Sequence, residues 1–254
     1  MNLKRPTVFV LIALSAFSAT LSSAAPWPPK RGDLILGFQA TRGLGSDVNL
    51  FFNLGPAHEW RDATAASQEA GNLGADLAEA YGKDWFHRKN LWFGAIANFT
   101  NRKNDPATHG DPPRTFYLSR PALSPGKSIP WSGLSEMSLG SAATFIGGQY
   151  DMLATLTPHA SGVAEVLFTD VVNWQNGWTF WNPVDARGQQ IAYRRFEGGL
   201  QNHFGQTTGT VFLDVQRVTA VSEEAGKPST QAGTGTVVFY ISLNQDGLIR
   251  IGVK

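Results

Sequence analysis

The segment NWQNGWTFWNP holds the residue types most able to bind something, namely Trp174, Trp178 and Trp181 beside Asn173 and Asn176. An indole face can stack on a sugar ring while side-chain amides bond its hydroxyls, so this pattern fits a glycan site. Trp is equally a large core residue, and the same spacing suits rings that fill an interior. Carboxylates offer a second chemistry. Glycoside hydrolysis needs two of them brought together, and Glu165, Asp170, Asp185 and Asp214 lie on or near expected strands. Their spacing selects no pair, and Asp214, in an alternating strand, is expected to face solvent. Asp170, Asn173 and Asn176 could place oxygens around a calcium ion, but they do not follow the EF-hand pattern.

Other motifs fall away on inspection. Gly126-Lys127-Ser128 resembles the end of a phosphate loop, but the glycine required five residues earlier is Pro121. His58-Glu59 starts an H-E-x-x-H pattern that position 62, an Asp, breaks. The five histidines, His58, His87, His109, His159 and His203, form no local ligand cluster, leaving only a long-range pair. There is no cysteine, which excludes disulfides, thiolate metal sites and cysteine catalysis. The residues call for no cofactor and no metal. With 16% charged residues and a formal net charge of +1, the chain lacks the clustered Lys and Arg that phosphate backbones require. Nucleic acid is not an expected partner; a surface polysaccharide or a protein is. Asn98-Phe99-Thr100 fits a glycosylation sequon.

The start of the chain is an address. Lys4 and Arg5 precede an apolar run over residues 8–14, and Ser22, Ser23, Ala24 and Ala25 supply small residues for cleavage. This is the order of a secretory signal, with cleavage expected after Ala24. The run is shorter than the roughly 20 residues that span a bilayer. Export to the periplasm, cell surface or medium follows, with no transmembrane anchor after cleavage. Residues 25–31 form a proline-rich lead-in, and residues 32–254 are expected to form one β-rich domain.

The remaining elements follow from periodicity. Twenty-seven glycines and 14 prolines predict many turns. Alternation predicts strands over residues 34–40, 48–55, 91–99, 115–119, 163–172, 177–181, 191–196, 210–218, 235–243 and 247–253. The first two would form a hairpin around residues 41–47, and 91–99 would be central. Ala66, Ala70, Leu73 and Leu77 predict a helix over 62–81, or two helices broken near Asn72, which would cap the second. A further helix is expected within 135–157. Residues 101–114 and 222–234 read as exposed loops, and Asn244-Gln245-Asp246-Gly247 as a hairpin turn. The class is mainly β: an antiparallel sandwich or open-barrel-like domain with one or two inserted helices. Exposed strand edges would allow self-association.

GDLILGFQA with VNLFFNLGPA, NLGADLAEAYGKDW with NLWFGAIANF, and the closing GTVVFYISLNQDGLIRIGV resemble secreted proteins of unknown role found alongside the bacterial PEP-CTERM exosortase sorting system. That resemblance implies export and surface or matrix association, and supplies no catalytic residues. The chain departs from anchored members in ending at Ile251-Gly252-Val253-Lys254 without a sorting segment, so attachment by that route is not expected. A secreted structural or interaction protein is the leading expectation, ahead of a glycan-binding module and a glycoside hydrolase-like enzyme.

Overall fold

A computed structural model describes residues 26–99, 108–132, 136–167, 177–190, 198–205, 209–219 and 235–253. They form a mainly β domain, an open, curled half-barrel sheet with a few inserted helices. The strands are β1 (Asp33–Ala40), β2 (Val48–Pro56), β3 (Gln68–Asn72), β4 (Leu91–Asn98), β5 (Phe116–Ala122), β6 (Val163–Leu167), β7 (Asn202–His203), β8 (Thr210–Val218), β9 (Thr236–Asn244) and β10 (Leu248–Val253). The helices are α1 (Ala57–Asp62), α2 (Gly74–Tyr81), α3 (Glu136–Leu153) and α4 (Trp178–Trp181). The sheet runs β3-β10-β9-β8-β5-β4-β1-β2-β6, and the short β7 pairs with β4. Every pairing between these strands is antiparallel.

Alternation sorts the strand residues onto two faces. Leu34, Leu36 and Phe38 of β1, Leu50 and Phe52 of β2, Phe93 of β4, Leu213 of β8 and Ile241 of β9 belong to one buried cluster. This is the inner face of the curl. A Cβ on Gly71 of β3 would come within 2.8 Å of the Phe52 ring, although β3 and β2 lie near opposite ends of the strand order. Leu77 and Tyr81 of α2 close the same cluster. The Tyr81 hydroxyl donates to the Val48 carbonyl at 3.3 Å, and burial pushes its pKa up.

Ile35, Phe51, Ile96 and Leu118 point outward and meet Leu139, Ala142, Ala143 and Ile146 of α3. The 3–4 residue spacing puts those four on one helix face, as expected within 135–157. Tyr150 fixes that helix to the sheet: its hydroxyl donates to the Asp33 carbonyl at 2.6 Å and accepts from the Asn98 amide at 3.3 Å. β1 and β4 are therefore buried along their whole lengths.

The first hairpin, the central fourth strand and the last hairpin agree with the sequence reading. In the last turn Gly247 has a φ of 81°, which glycine adopts without a Cβ clash. The Asn244 side chain accepts from the Asp246 and Leu248 amides. Strand β5 runs on to Ala122 through Pro121. Its register with β4 ends at Leu118, so Pro121, which cannot donate to a ladder, lies where β8 supplies the pairing.

The helix expected over 62–81 is corrected. Residues 68–72 pair with β10 as an edge strand, and the helical periodicity is realised only in α2. Pairing on an open sheet edge outweighs a weak local helix preference interrupted by Gly71. The expected cap is also corrected: the N-cap of α2 is Leu73, with no side-chain cap bond, and Asn72, one residue earlier, accepts the Gly74 amide at 2.9 Å. The strand expected over 163–172 reaches Leu167; its remainder, residues 191–196 and the loop at 222–234 lie outside the described residues.

A second correction falls on residues 177–181, which hold α4 and no strand. The helical turn drops Trp178 onto Gly37 of β1, where a Cβ would come within 2.2 Å of the indole. Replacing Gly37 with Ala must displace that ring. We expect Gly37→Ala to lower unfolding free energy by about 1–3 kcal/mol, as overpacking does, and to reduce near-ultraviolet tryptophan dichroism. Urea titration reads the first effect; an unchanged midpoint would show that the ring is not held there.

Candidate functional site

The aromatic segment does not present the surface its sequence suggested. Trp178 is fully buried, so it cannot offer a face to a sugar. Its ring meets Phe51 edge-on at 6.2 Å, and its Nε1–H donates to Gln201 Oε1 at 2.8 Å. Asn173, Trp174, Asn176 and Asp170 lie outside the described residues, as does the side chain of Trp181.

What Trp178 belongs to is a polar seam on the outer face. Gln39 of β1 donates to the Asn182 carbonyl and to Gln201 Oε1, both at 2.6 Å. Asn49 of β2 accepts from the Thr179 amide at 2.9 Å. Gln190 accepts from the Gln201 amide at 2.7 Å and donates to the Gln201 carbonyl. Outward amides on two apolar strands are costly when buried alone. Here they are bonded to the segments at 177–182 and 198–203, which docks those segments on β1 and β2.

The docked chain then turns back over the end of the sheet. Val184 bridges Gln190, and Asp185 Oδ1 accepts from the Arg187 and Gln189 amides. This turn faces the end of β1 and the start of β4 across a recess of about 430 Å³, lined by residues that include Arg42, Lys89, Asn90, Trp92, Asp185, Arg187 and His203. Arg42, Lys89 and Arg187 are exposed. Trp92 is buried, its indole N–H has no partner, and its ring lies 5.1 Å from that of His203. His203 Nδ1 donates to the Phe204 carbonyl at 2.7 Å. Arg88 secures the wall: it donates to the carbonyls of Leu44, Tyr81 and Arg42 at 2.7–2.8 Å. Burial holds its pKa below the usual arginine value. A second, more open depression, which includes Leu44, Lys83, Asp84 and Arg88, shares Arg42 and Asn90 with the first.

A separate cluster forms at α1. Asp111, fully buried at its side chain, pairs with Arg61 at 2.9 Å and Arg217 at 2.6 Å. Its other oxygen accepts from the Tyr117 hydroxyl at 2.8 Å. Residues 108–114 form the expected loop, exposed at 108–110, but the exposure expected throughout is corrected at the buried Asp111; residues 101–107 lie outside the described residues. The long-range histidine pair exists as His58 stacked on His109, with centroids 3.7 Å apart. Parallel rings at that distance do not converge on one cation, and no group of three or more metal-ligating side chains occurs among the described residues.

Two further expectations are corrected. Asp214 is fully buried and accepts from the Gly126 and Ser128 amides at 2.7 and 2.8 Å. The Gly-Lys-Ser turn does cradle an anion, and the anion is the protein's own carboxylate. Asn98 is also fully buried and donates to the Thr115 carbonyl at 3.1 Å, so the folded sequon offers no accessible amide. Of the other acids, Glu165 sits on β6 and Asp185 in the recess, each apart from the buried Asp214; Asp170 lies outside the described residues. The recess residues escaped the sequence reading because they come from positions near 42, 90, 186 and 203, with no local spacing to connect them.

Removing the Asp111 carboxylate takes a buried acceptor from the Tyr117 hydroxyl and from both arginines, of which Arg61 keeps Asp62 and Arg217 keeps the Gly110 carbonyl. Asp111→Ala should cost on the order of 3 kcal/mol, read by urea unfolding. Burial first, and His109 second, hold the His58 pKa below its usual value. The unfolded chain therefore takes up the proton first as pH falls. Stability should decline on acidification from about pH 6.5 down through the lowered His58 value, and His58→Gln should flatten that decline. A pH-independent midpoint across this window would contradict the assignment.

Comparison with protein-family models, with curated proteins and with solved structures finds no match to this chain.

Proposed function

We propose that this chain is an exported interaction protein that binds through the outside of a filled β scaffold. The observation that carries this reading is the division between interior and rim. Phe38, Phe93 and Phe204 stack inside the curl, with centroids of 5.9 and 4.8 Å between successive rings, and all three are fully buried. The cationic recess, in contrast, opens at the strand ends. A ligand or partner therefore meets the end of β1, the start of β4 and the turn at 184–188.

Export is supported by the positive, apolar and small-residue order of residues 4–25, and by the resemblance to secreted PEP-CTERM-associated proteins. No helix of the described residues is long and apolar enough to cross a membrane. The Trp174–Trp181 glycan reading loses Trp178 to the core. A glycoside hydrolase reading has no joined carboxylates behind it among the described residues.

Export is tested by producing the full chain with a carboxyl-terminal tag in a Gram-negative host and sequencing the amino terminus of the recovered protein. The expected product begins at Ala25 and leaves the cytoplasm. Cytoplasmic protein retaining residues 1–24 would contradict it.

A further inference from the structure

We propose that the recess at the ends of β1 and β4 binds an acidic saccharide, with the ligand's carboxylate between Arg42, Lys89 and Arg187. This rests on the reading of the rim as the binding surface and names the ligand class that its chemistry fits.

Three observations combine. The first is charge. Arg42, Lys89 and Arg187 come from three separate segments and line one recess with a single carboxylate, Asp185. That carboxylate offsets one of the three cations, and the lining keeps a positive excess. The second is the mixture of donors and acceptors. A bare inorganic anion needs donors alone. The Thr41 hydroxyl donates to the Asn90 carbonyl and Asn90 Nδ2 to the Arg42 carbonyl, which leaves the Thr41 oxygen, Asn90 Oδ1 and Asp185 Oδ2 as acceptors for a ligand carrying hydroxyls as well as charge. Its apolar lining is limited to Trp92, Val184 and Ala186, with no hydrophobic socket of the kind that anchors a peptide. The third is Trp92. It is only 7% exposed, lines the recess, and keeps an indole N–H with no acceptor in the protein. A buried donor without a partner is an exception; its nitrogen is covered in the unliganded protein, so a ligand is sensed through the indole ring that lines the recess.

The recess is large enough for one or two sugar rings, within the range of small-molecule sites. It shares Arg42 and Asn90 with the second depression, where Lys83 and Arg88 add cations and Asp84 a carboxylate. A short acidic oligosaccharide would lie along both. The site is preorganised on one wall by Arg88, whose bond to the Arg42 carbonyl at 2.8 Å fixes the backbone there. The opposite wall is held by the Asp185 turn.

The test uses the mature chain with nitrogen-15 in its indoles, the Trp92 signal being assigned with Trp92→Phe. Oligogalacturonate, a neutral galacto-oligosaccharide of equal length, and inorganic phosphate are titrated separately. Oligogalacturonate should shift the Trp92 N–H signal saturably, at least 10-fold more tightly than either other probe. Lys89→Gln and Arg187→Gln, both at exposed positions, should each weaken binding about 3- to 10-fold, and 0.5 M salt should weaken it further. Neutral sugar shifting Trp92 equally would overturn the acidic class while leaving the rim as the binding surface. Phosphate binding as tightly would overturn the saccharide. No movement of Trp92 with any probe, in a wild-type sample with a dispersed amide spectrum, would overturn both the ligand class and the rim reading.

Discussion

The fold depends on covering β1 and β4 from both faces. Every residue of these two strands is buried, by the inner cluster on one side and by α3, Trp178 and Leu200 on the other. A sheet with one wet face can place polar side chains outward without cost. This one cannot, so each outward polar group along β1 and its neighbours needs a partner in the protein. Gln39 and Asn49 find theirs in the chain around α4, and Ser119 donates to the Leu200 carbonyl at 2.6 Å while accepting from the Ala95 amide. The packing that buries the strands thereby dictates where the irregular segments dock.

That docking shapes the recess. With 177–182 and 198–203 tied to the outer face, the turn at 184–190 places Arg187 in one recess with Lys89 and Trp92. The recess is thus a consequence of how the outer face is satisfied. The inner face contributes rigidity through its stacked, fully buried aromatics. At the other side of the curl, the Asp111 cluster ties α1, β5 and β8 to one loop. The adjoining stack of His58 on His109 takes no part in the recess.

Much of the sheet was legible because alternation reports burial directly. Leu34, Leu36 and Phe38, and Val211, Leu213 and Val215, share faces as their spacing says. The helix at α3 was legible despite Gly140 and Gly147, since those glycines accommodate the guanidinium groups of Arg114 and Arg31. Strand β3 was not, because an edge strand of QEAGN has little pattern of its own and is made by its pairing with β10. The Trp178 segment misled for a related reason. Aromatic residues in a row suit a strand or a surface equally well, and only the small Gly37 opposite decides that the ring goes inward. Asp214 looked solvent-facing because its alternation is real. The outward side of β8 is covered locally by the turn at 126–128, which sequence spacing does not connect to it. The recess was the least legible feature, being assembled from four distant segments by the polar seam.

The central claim is that recognition takes place at the rim of the sheet and leaves its interior undisturbed. Amide hydrogen exchange of the mature chain with and without saturating oligogalacturonate tests this across the molecule. The account predicts added protection over residues 41–43, 89–92 and 184–188, with exchange along β8, β9 and β10 unchanged. Protection concentrated along the inward-facing strands, or at α1 and the Asp111 loop, would contradict it.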